Sequence, residues 1–458
     1  MTLQKWLDTT ALDRAVFYGI LRKIWSFCAG PVTLLLIAYH FDRRLQGYYY
    51  TFATLIALQV FFELGIGQVI LQFASHEWSA LQLDPQGISG DAHAYSRLIS
   101  IGRLAMKWYA SGAALLTIGL CLGGYWFFSS TPAKGIHWLA PWICLSVLTG
   151  IDLFSMAFWS LLQGCNQMAS VYFSQLIQRI VYYITLWILI LEGAGLWVVV
   201  AGSFVGQVWC AVYLFKRYRK FFSAFLRQPE GPRVSWQKEM LPFQWRIGIS
   251  WLFGFFMFSL FTPVLFKARG PVVAGQMGMT WALVSSLSTF ALLWLNAKAP
   301  AFGMLVAKNN YIELDKLLIR TSITSLAVVI IGSVLIEAGV IFMNKFRFPY
   351  RNRLLGPWPT AIFLLGIIFF QIASPFSYYL RAHKKEPLMG LSVVSALVMA
   401  ACVIYFAYHG GVMAIALSYC LNILFIILPG ATWIWWRFRN RLRNGEIIFY
   451  GMDSKETV

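Results

Sequence analysis

Long apolar runs alternate with short polar connections along almost the whole chain. The runs lie at 17–39, 47–73, 104–128, 136–162, 170–191, 195–215, 245–267, 271–297, 318–343, 358–382, 388–408 and 410–436. Each approaches or exceeds the ~20 residues that a helix needs to cross the hydrocarbon core of a bilayer. A transmembrane β-barrel would instead show segments of ~10 residues with alternating polarity, and none is present. The pattern predicts an all-α integral membrane protein with twelve transmembrane helices. The longest polar connection, about 216–244, divides them into two sets of six. The expected organisation is an N-terminal lobe at 1–222, a basic linker at 223–244, a C-terminal lobe at 245–440 and a tail at 441–458.

Composition agrees with this. The chain is 59% hydrophobic and 12% charged, against about 45–50% and about 25% for soluble domains. That leaves no room for a soluble catalytic domain. A formal charge of +19 would suggest nucleic acid in a soluble protein, but topology accounts for it here. Cytoplasmic loops of membrane proteins are enriched in Lys and Arg. With a cytoplasmic N-terminus, 27 of the 37 basic residues fall on the cytoplasmic side, nine outside, and Arg179 in mid-span. Both termini are therefore expected in the cytoplasm, and no nucleic-acid partner is expected. The basic tract Lys216-Arg217-Tyr218-Arg219-Lys220 and the aromatic-basic stretch from Trp433 to Arg439 read as headgroup contacts. Seven scattered cysteines offer neither a CxxC pair nor a metal-ligand spacing. The run after Arg22-Lys23 lacks an early cleavage site and reads as a first span, not a removed signal.

A weak internal repeat relates the halves. Leu45-Gln46-Gly47-Tyr48-Tyr49 enters a span that reaches Glu63-Leu64-Gly65. Ala274-Gly275-Gln276-Met277-Gly278 enters the span ending at Lys298-Ala299-Pro300. Leu162-Gln163-Gly164 and Leu380-Arg381-Ala382 are short turns in matching places. Parallel repeats of this kind occur in transporters whose substrate site lies between the halves.

At Gln46-Gly47-Tyr48-Tyr49, Glu63-Leu64-Gly65, Leu162-Gln163-Gly164 and Pro300 the chain resembles the Wzx-type polysaccharide flippases. These belong to the multidrug/oligosaccharidyl-lipid/polysaccharide superfamily. The resemblance runs the full length and rests on order and spacing. It departs where Glu63 stands for a common Asp and where basic residues shift to Arg43-Arg44. It implies a MATE-like fold of two six-helix bundles around a cavity in the bacterial inner membrane. The implied activity is transport of undecaprenyl-pyrophosphate-linked oligosaccharide across that membrane by alternating access, without a cofactor. Polymerases and glycosyltransferases of the same pathway are the implied partners, beside membrane lipid.

Ionisable residues inside spans are costly and mark candidate sites. Asp152 lies ten residues from the end of the fourth span and Arg179 nine residues into the fifth. At ~1.5 Å per residue both sit ~15 Å deep, which predicts an Asp152–Arg179 ion pair. Two readings stand side by side: a static clamp, or an Arg179 that attracts pyrophosphate with Asp152 as its releasable counter-ion. Gln175 and Gln178 extend the same polar face. Glu63, at similar depth, is a second coupling or pairing candidate. Arg22, Lys23, Arg246 and Lys298 complete the set expected to hold a pyrophosphate headgroup, although snorkelling and topology signalling also explain them. Five cations against Glu63 and Asp152 favour an anion. A cation-expelling multidrug antiporter of the same fold is the first alternative. A glycan polymerase or ligase acting through Lys345 to Arg353 is the second. No phosphate-binding Gly-rich loop, zinc-protease motif or serine-hydrolase elbow occurs. His76-Glu77 reads as a solvated pair at a span end.

Overall fold

The computed structural model describes residues 14–444, except 86, 131–134, 242–243, 245–247, 249–251, 254, 256, 308 and 384–386. Among the described residues ten helices are long and apolar enough to cross a membrane, and a bent helix pair makes an eleventh. Of the seventh expected span, 245–267, eight positions lie outside the described residues. Phe261–Arg269 within it is helical. Two compact units emerge, Met1–Phe255 with Gly270–Gly275, and Phe256–Arg269 with Gln276–Val458.

The first unit opens with α1 (Arg14–His40), which carries Pro31 internally. Asp42 then accepts the backbone N–H groups of Arg44 and Leu45 at 2.5 and 2.8 Å and starts α2 (Arg43–Ile56). A short 3₁₀ turn, α3 (Val60–Glu63) and α4 (Ile66–Trp78) complete a single broken span, bent by 45°. The break lies at Leu64 and Gly65, both left-handed at φ 45° and 69°. Glycine adopts that conformation freely, whereas leucine does so at a cost. In a bilayer every freed backbone group needs a partner. The indole N–H of Trp108 meets that need by donating to the Phe62 carbonyl at 3.3 Å.

A two-stranded hairpin, β1 (Leu81–Asp84) and β2 (Gly87–Gly90), follows with Leu81 opposite Gly90. The unit continues with α5 (Ala92–Ser129), α6 (Leu139–Gly164), α7 (Met168–Leu191) and α8 (Trp197–Ser223). α1 packs on α7, α5 on α6, and α7 on α8. Close approach explains two glycines. A Cβ on Gly47 would lie 1.9 Å from the Pro271 carbonyl oxygen, and one on Gly124 would lie 1.9 Å from Trp142 Nε1.

The basic connection after α8 is strapped along the start of α5. Gly231 N–H donates to Ser96 Oγ at 2.9 Å, Val234 N–H to Ser100 Oγ at 3.2 Å, and Arg103 to the Leu226 and Arg227 carbonyls. Arg97 bridges Glu77 at 2.7 Å and Glu239 at 2.9 Å. Glu77 is buried in that ion pair, which corrects the expectation of a solvated His76-Glu77 pair. Leaving a carboxylate unpaired away from water is costly, so the α5 arginine takes it.

The second unit comprises α9 (Phe261–Arg269), α10 (Pro271–Ala291, whose first turn belongs to the first unit), α11 (Leu293–Ala307), α12 (Tyr311–Lys345), α13 (Pro357–Ala382), α14 (Met389–His409), α15 (Gly411–Asn422) and α16 (Leu428–Arg443). A π turn at Ile423–Ile427 joins the last two. Asn422 beside it is locked to Ser395, whose hydroxyl and carbonyl it meets at 2.5 and 2.9 Å. Arg439 pairs with Asp315 and stacks over Trp435. It therefore ties α16 to α12 instead of serving only as a headgroup anchor. Large apolar side chains such as Leu335 on α12 point outward, 67% exposed, as lipid-facing helices require.

Candidate functional site

The polar interior of the first unit is built from five helices. α1 brings Arg22, the broken span brings Gln59 and Glu63, α6 brings Asp152, α7 brings Gln175, Gln178 and Arg179, and α8 brings Gln207. They line two adjoining cavities of about 290 and 220 Å³ that share Asp152, Gln178 and Arg179. Burying this many polar groups at bilayer depth is expensive unless they are hydrogen-bonded or serve a ligand.

Of the two carboxylates, Asp152 is hydrogen-bonded. Gln207 Nε2 donates to Asp152 Oδ1 at 2.5 Å, and Gln59 lines the same cavity as that carboxylate. Arg22 donates to Gln175 Oε1 and lies over the Tyr172 ring, 5.1 Å from its centroid. Glu63 ends α3 at the break, and its Oε1 lies beside Gly67 in α4. A Cβ on Gly67 would approach Glu63 Oε1 to 3.3 Å and both Ser160 Oγ and Tyr109 Oη to 3.1 Å.

Arg179 differs. It lines both cavities and is exposed on α7. Among the described residues it makes no hydrogen bond and no salt bridge. Its charge acts on Asp152 through space, but no contact within 4.0 Å joins the two. This corrects the expected ion pair. Equal depth on neighbouring helices sets height only, and the rotation of each helix turns Asp152 to Gln207 on α8 instead.

The remaining expected residues separate. Gln178 lines both cavities and Gln175 the larger one. Lys23 is exposed and lines neither cavity, because consecutive residues on a helix point about 100° apart and Arg22 takes the inward direction. Lys298 is exposed on α11 in the second unit. Arg246 lies outside the described residues. The charge balance changes accordingly. Sequence counting gave five cations against two carboxylates, whereas these cavities hold Arg22 and Arg179 against Glu63 and Asp152. Gln59 and Gln207 were not anticipated. Gln59 stands one helical turn before Glu63 and Gln207 is a lone amide in an apolar span, so intramembrane amides were the available signal.

No family model matches the chain, and no curated protein matches it. Solved structures do. A MATE-family multidrug resistance transporter of the MOP superfamily, inward-facing, aligns with TM-score 0.57 and 12% identity over 90% of this chain and 99% of that one. Lipid II flippase MurJ in an inward closed conformation aligns at 0.56 and 15%, over 92% and 87%. A MOP superfamily transporter from Pyrococcus furiosus Vc1 (DSM3638), described as having a binding pocket of reverse polarity, aligns at 0.53 and 13%, over 95% and 96%. Multidrug transporters and a lipid flippase thus share one helical scaffold with this protein over nine-tenths of its length, and at these identities the likeness establishes that its fold is MATE-like.

Proposed function

We propose that this chain is a secondary transporter of the flippase kind, moving a polyprenyl-pyrophosphate-linked oligosaccharide across the bacterial inner membrane. The observation that carries the reading is Arg179, a guanidinium deep in the apolar span, cavity-lining, and without a hydrogen-bonding partner among the described residues. Arginine presents a planar fork of donors that matches phosphate oxygens in two-pronged fashion. A pyrophosphate entering the cavity supplies the partner that Arg179 lacks. Arg22 adds a second cation, already oriented by Gln175. Gln178 offers an amide to glycan hydroxyls or phosphate oxygens, and the polyprenyl chain stays in lipid. Lys298 and Arg246 are candidates for collecting the headgroup at the membrane face.

A second reading has one observation in its favour. Glu63 and Asp152 balance the two arginines, and a carboxylate pair could serve a cation-expelling antiporter or carry the coupling proton. Isothermal titration of the purified protein separates the two. The flippase reading expects farnesyl pyrophosphate to bind more tightly than farnesyl monophosphate, and tetraphenylphosphonium not to compete. Preferential binding of tetraphenylphosphonium would favour the antiporter.

A further inference from the structure

Outside the intramembrane cavities, a recess in the first unit lies where the basic connection crosses α5. It encloses about 610 Å³ between Arg103, Lys107 and Trp108 on one side and Gln228, Arg233 and Trp236 on the other. Three cations line it and no carboxylate does. Glu239, the nearby acid on the strap, is already engaged by Arg97 and the Ser235 N–H. Arg103 is partly used by the Leu226 and Arg227 carbonyls. Lys107 and Arg233 make no hydrogen bond or salt bridge among the described residues and are both exposed. The indole N–H groups are committed elsewhere, Trp108 to Phe62 O and Trp236 to Gln244 Oε1, and the two rings lie 5.3 Å apart.

Lys107 marks a boundary. No charged residue follows it until Lys134, so the recess sits at the edge of the apolar span. From there Lys107, Ser111, Ala114 and Ile118 follow one another at spacings of four, three and four, which is one face of α5. That face leads into a second, apolar groove of about 470 Å³ between α5 and α6, with Ala110, Ala114, Thr117, Val147, Gly150 and Phe154 among its walls. Small side chains make the furrow, and its rim residues Ile118 and Ile151 are 56% and 48% exposed toward lipid. A cationic, aromatic-walled recess at the membrane boundary thus continues, ~10 Å deeper, as a lipid-facing trough.

We propose that this continuous surface is a binding site for an anionic glycerophospholipid, its phosphate held by Lys107 and Arg233 and one acyl chain lying in the α5–α6 groove. Cations at the bilayer surface attract anionic headgroups, and the unpaired pair Lys107 and Arg233 gives the recess its charge complement. The groove opens to the bilayer along its length, which suits a resident lipid that exchanges with the leaflet. The headgroup bridges α5 to the strap, bracing the residue, Trp108, that holds the Phe62 carbonyl at the break beside Glu63.

Native mass spectrometry of the purified full chain, released from an equimolar mixture of phosphatidylglycerol and phosphatidylcholine, tests this. Wild type is expected to retain phosphatidylglycerol preferentially. The Lys107→Ala/Arg233→Ala double variant should lose that preference by roughly 25-fold, since each surface cation contributes about fivefold. Lys107→Arg/Arg233→Lys should keep it. Ala114→Phe, at an exposed groove position, should lower retention with all cations intact and the thermal midpoint unchanged, so a folding defect in the double variant cannot decide the matter. Undiminished preference in the double variant overturns the headgroup assignment, and undiminished retention in Ala114→Phe overturns the groove. Inorganic phosphate added to protein in phosphatidylcholine nanodiscs should leave the thermal midpoint unmoved. A shift equal to that produced by phosphatidylglycerol would show that the recess takes free phosphate, and would overturn the lipid claim.

Discussion

Replacing Asp152 by Asn tests the sign of the cavity. Asn keeps the shape and still accepts from Gln207 Nε2, which now donates at 2.5 Å. What changes is one unit of negative charge. A 290 Å³ cavity is ~8 Å across if roughly spherical, and a unit charge at ~8 Å through an effective dielectric of about 20 is worth ~2 kcal/mol. That is a factor of ~30 in affinity. If an anionic pyrophosphate is the ligand, Asp152→Asn therefore binds farnesyl pyrophosphate about 30-fold more tightly, measured by isothermal titration of purified protein. Arg179→Gln moves the affinity the other way by at least as much, because it loses both the charge and the fork of donors. Arg179→Lys falls between, keeping the charge alone. Weaker pyrophosphate binding in Asp152→Asn, or an unchanged constant in both variants, would refute the reasoning. A selective loss of tetraphenylphosphonium binding in Asp152→Asn would transfer the argument to the cation antiporter.

Three further outcomes follow from the geometry. Reversing both charges in Asp152→Arg/Arg179→Asp should not raise the thermal midpoint in detergent above that of either single reversal, because no direct contact joins the two side chains; a recovered midpoint would revive the clamp. Gly124→Ala forces a methyl to within 1.9 Å of Trp142 Nε1, whose N–H bonds the Leu120 carbonyl at 2.8 Å. Overpacking of that kind costs about 1–3 kcal/mol, so its thermal midpoint in detergent should fall. Gly123→Ala, which meets nothing within 4 Å, should be neutral, and equal midpoints for the two variants would contradict the packing. Glu239 is held below the usual carboxylate range by the Ser235 N–H and then by Arg97. A depressed carboxylate stabilises the fold above its ordinary value and loses that contribution as pH falls through its folded value. Hydrogen exchange of 224–240 should therefore rise as pH drops below ~4, beyond the intrinsic change, and Glu239→Gln should abolish that dependence. Equal acid sensitivity in the variant would remove Glu239 as the cause.

Span positions were readable in the sequence because a bilayer demands length and apolarity, both one-dimensional properties. Relative height along the helices was readable too: Asp152, Arg179, Glu63, Gln175 and Gln178 all line these cavities. Azimuth was not. Lys23 and Arg22 are neighbours in sequence yet face differently, and Asp152 finds Gln207 on α8 in place of Arg179 on α7. Helix rotation is set by packing among several helices, which a single span's pattern records only weakly. The Glu63-Leu64-Gly65 triplet stood out in the sequence, but its role as a helix break rests on Leu64 adopting φ 45°, against leucine's own preference. The strap along α5 escaped notice because its bonds run from backbone N–H and carbonyl groups to Ser96, Ser100 and Arg103, and backbone groups leave no trace in a residue pattern.

Reconstitution tests the central claim most directly. A fluorescent polyprenyl-pyrophosphate oligosaccharide placed in the outer leaflet of proteoliposomes should become protected from an impermeant quencher with time, and Arg179→Gln should abolish that protection. Accessibility that stays constant with wild-type protein, in vesicles that do accumulate tetraphenylphosphonium, would contradict it.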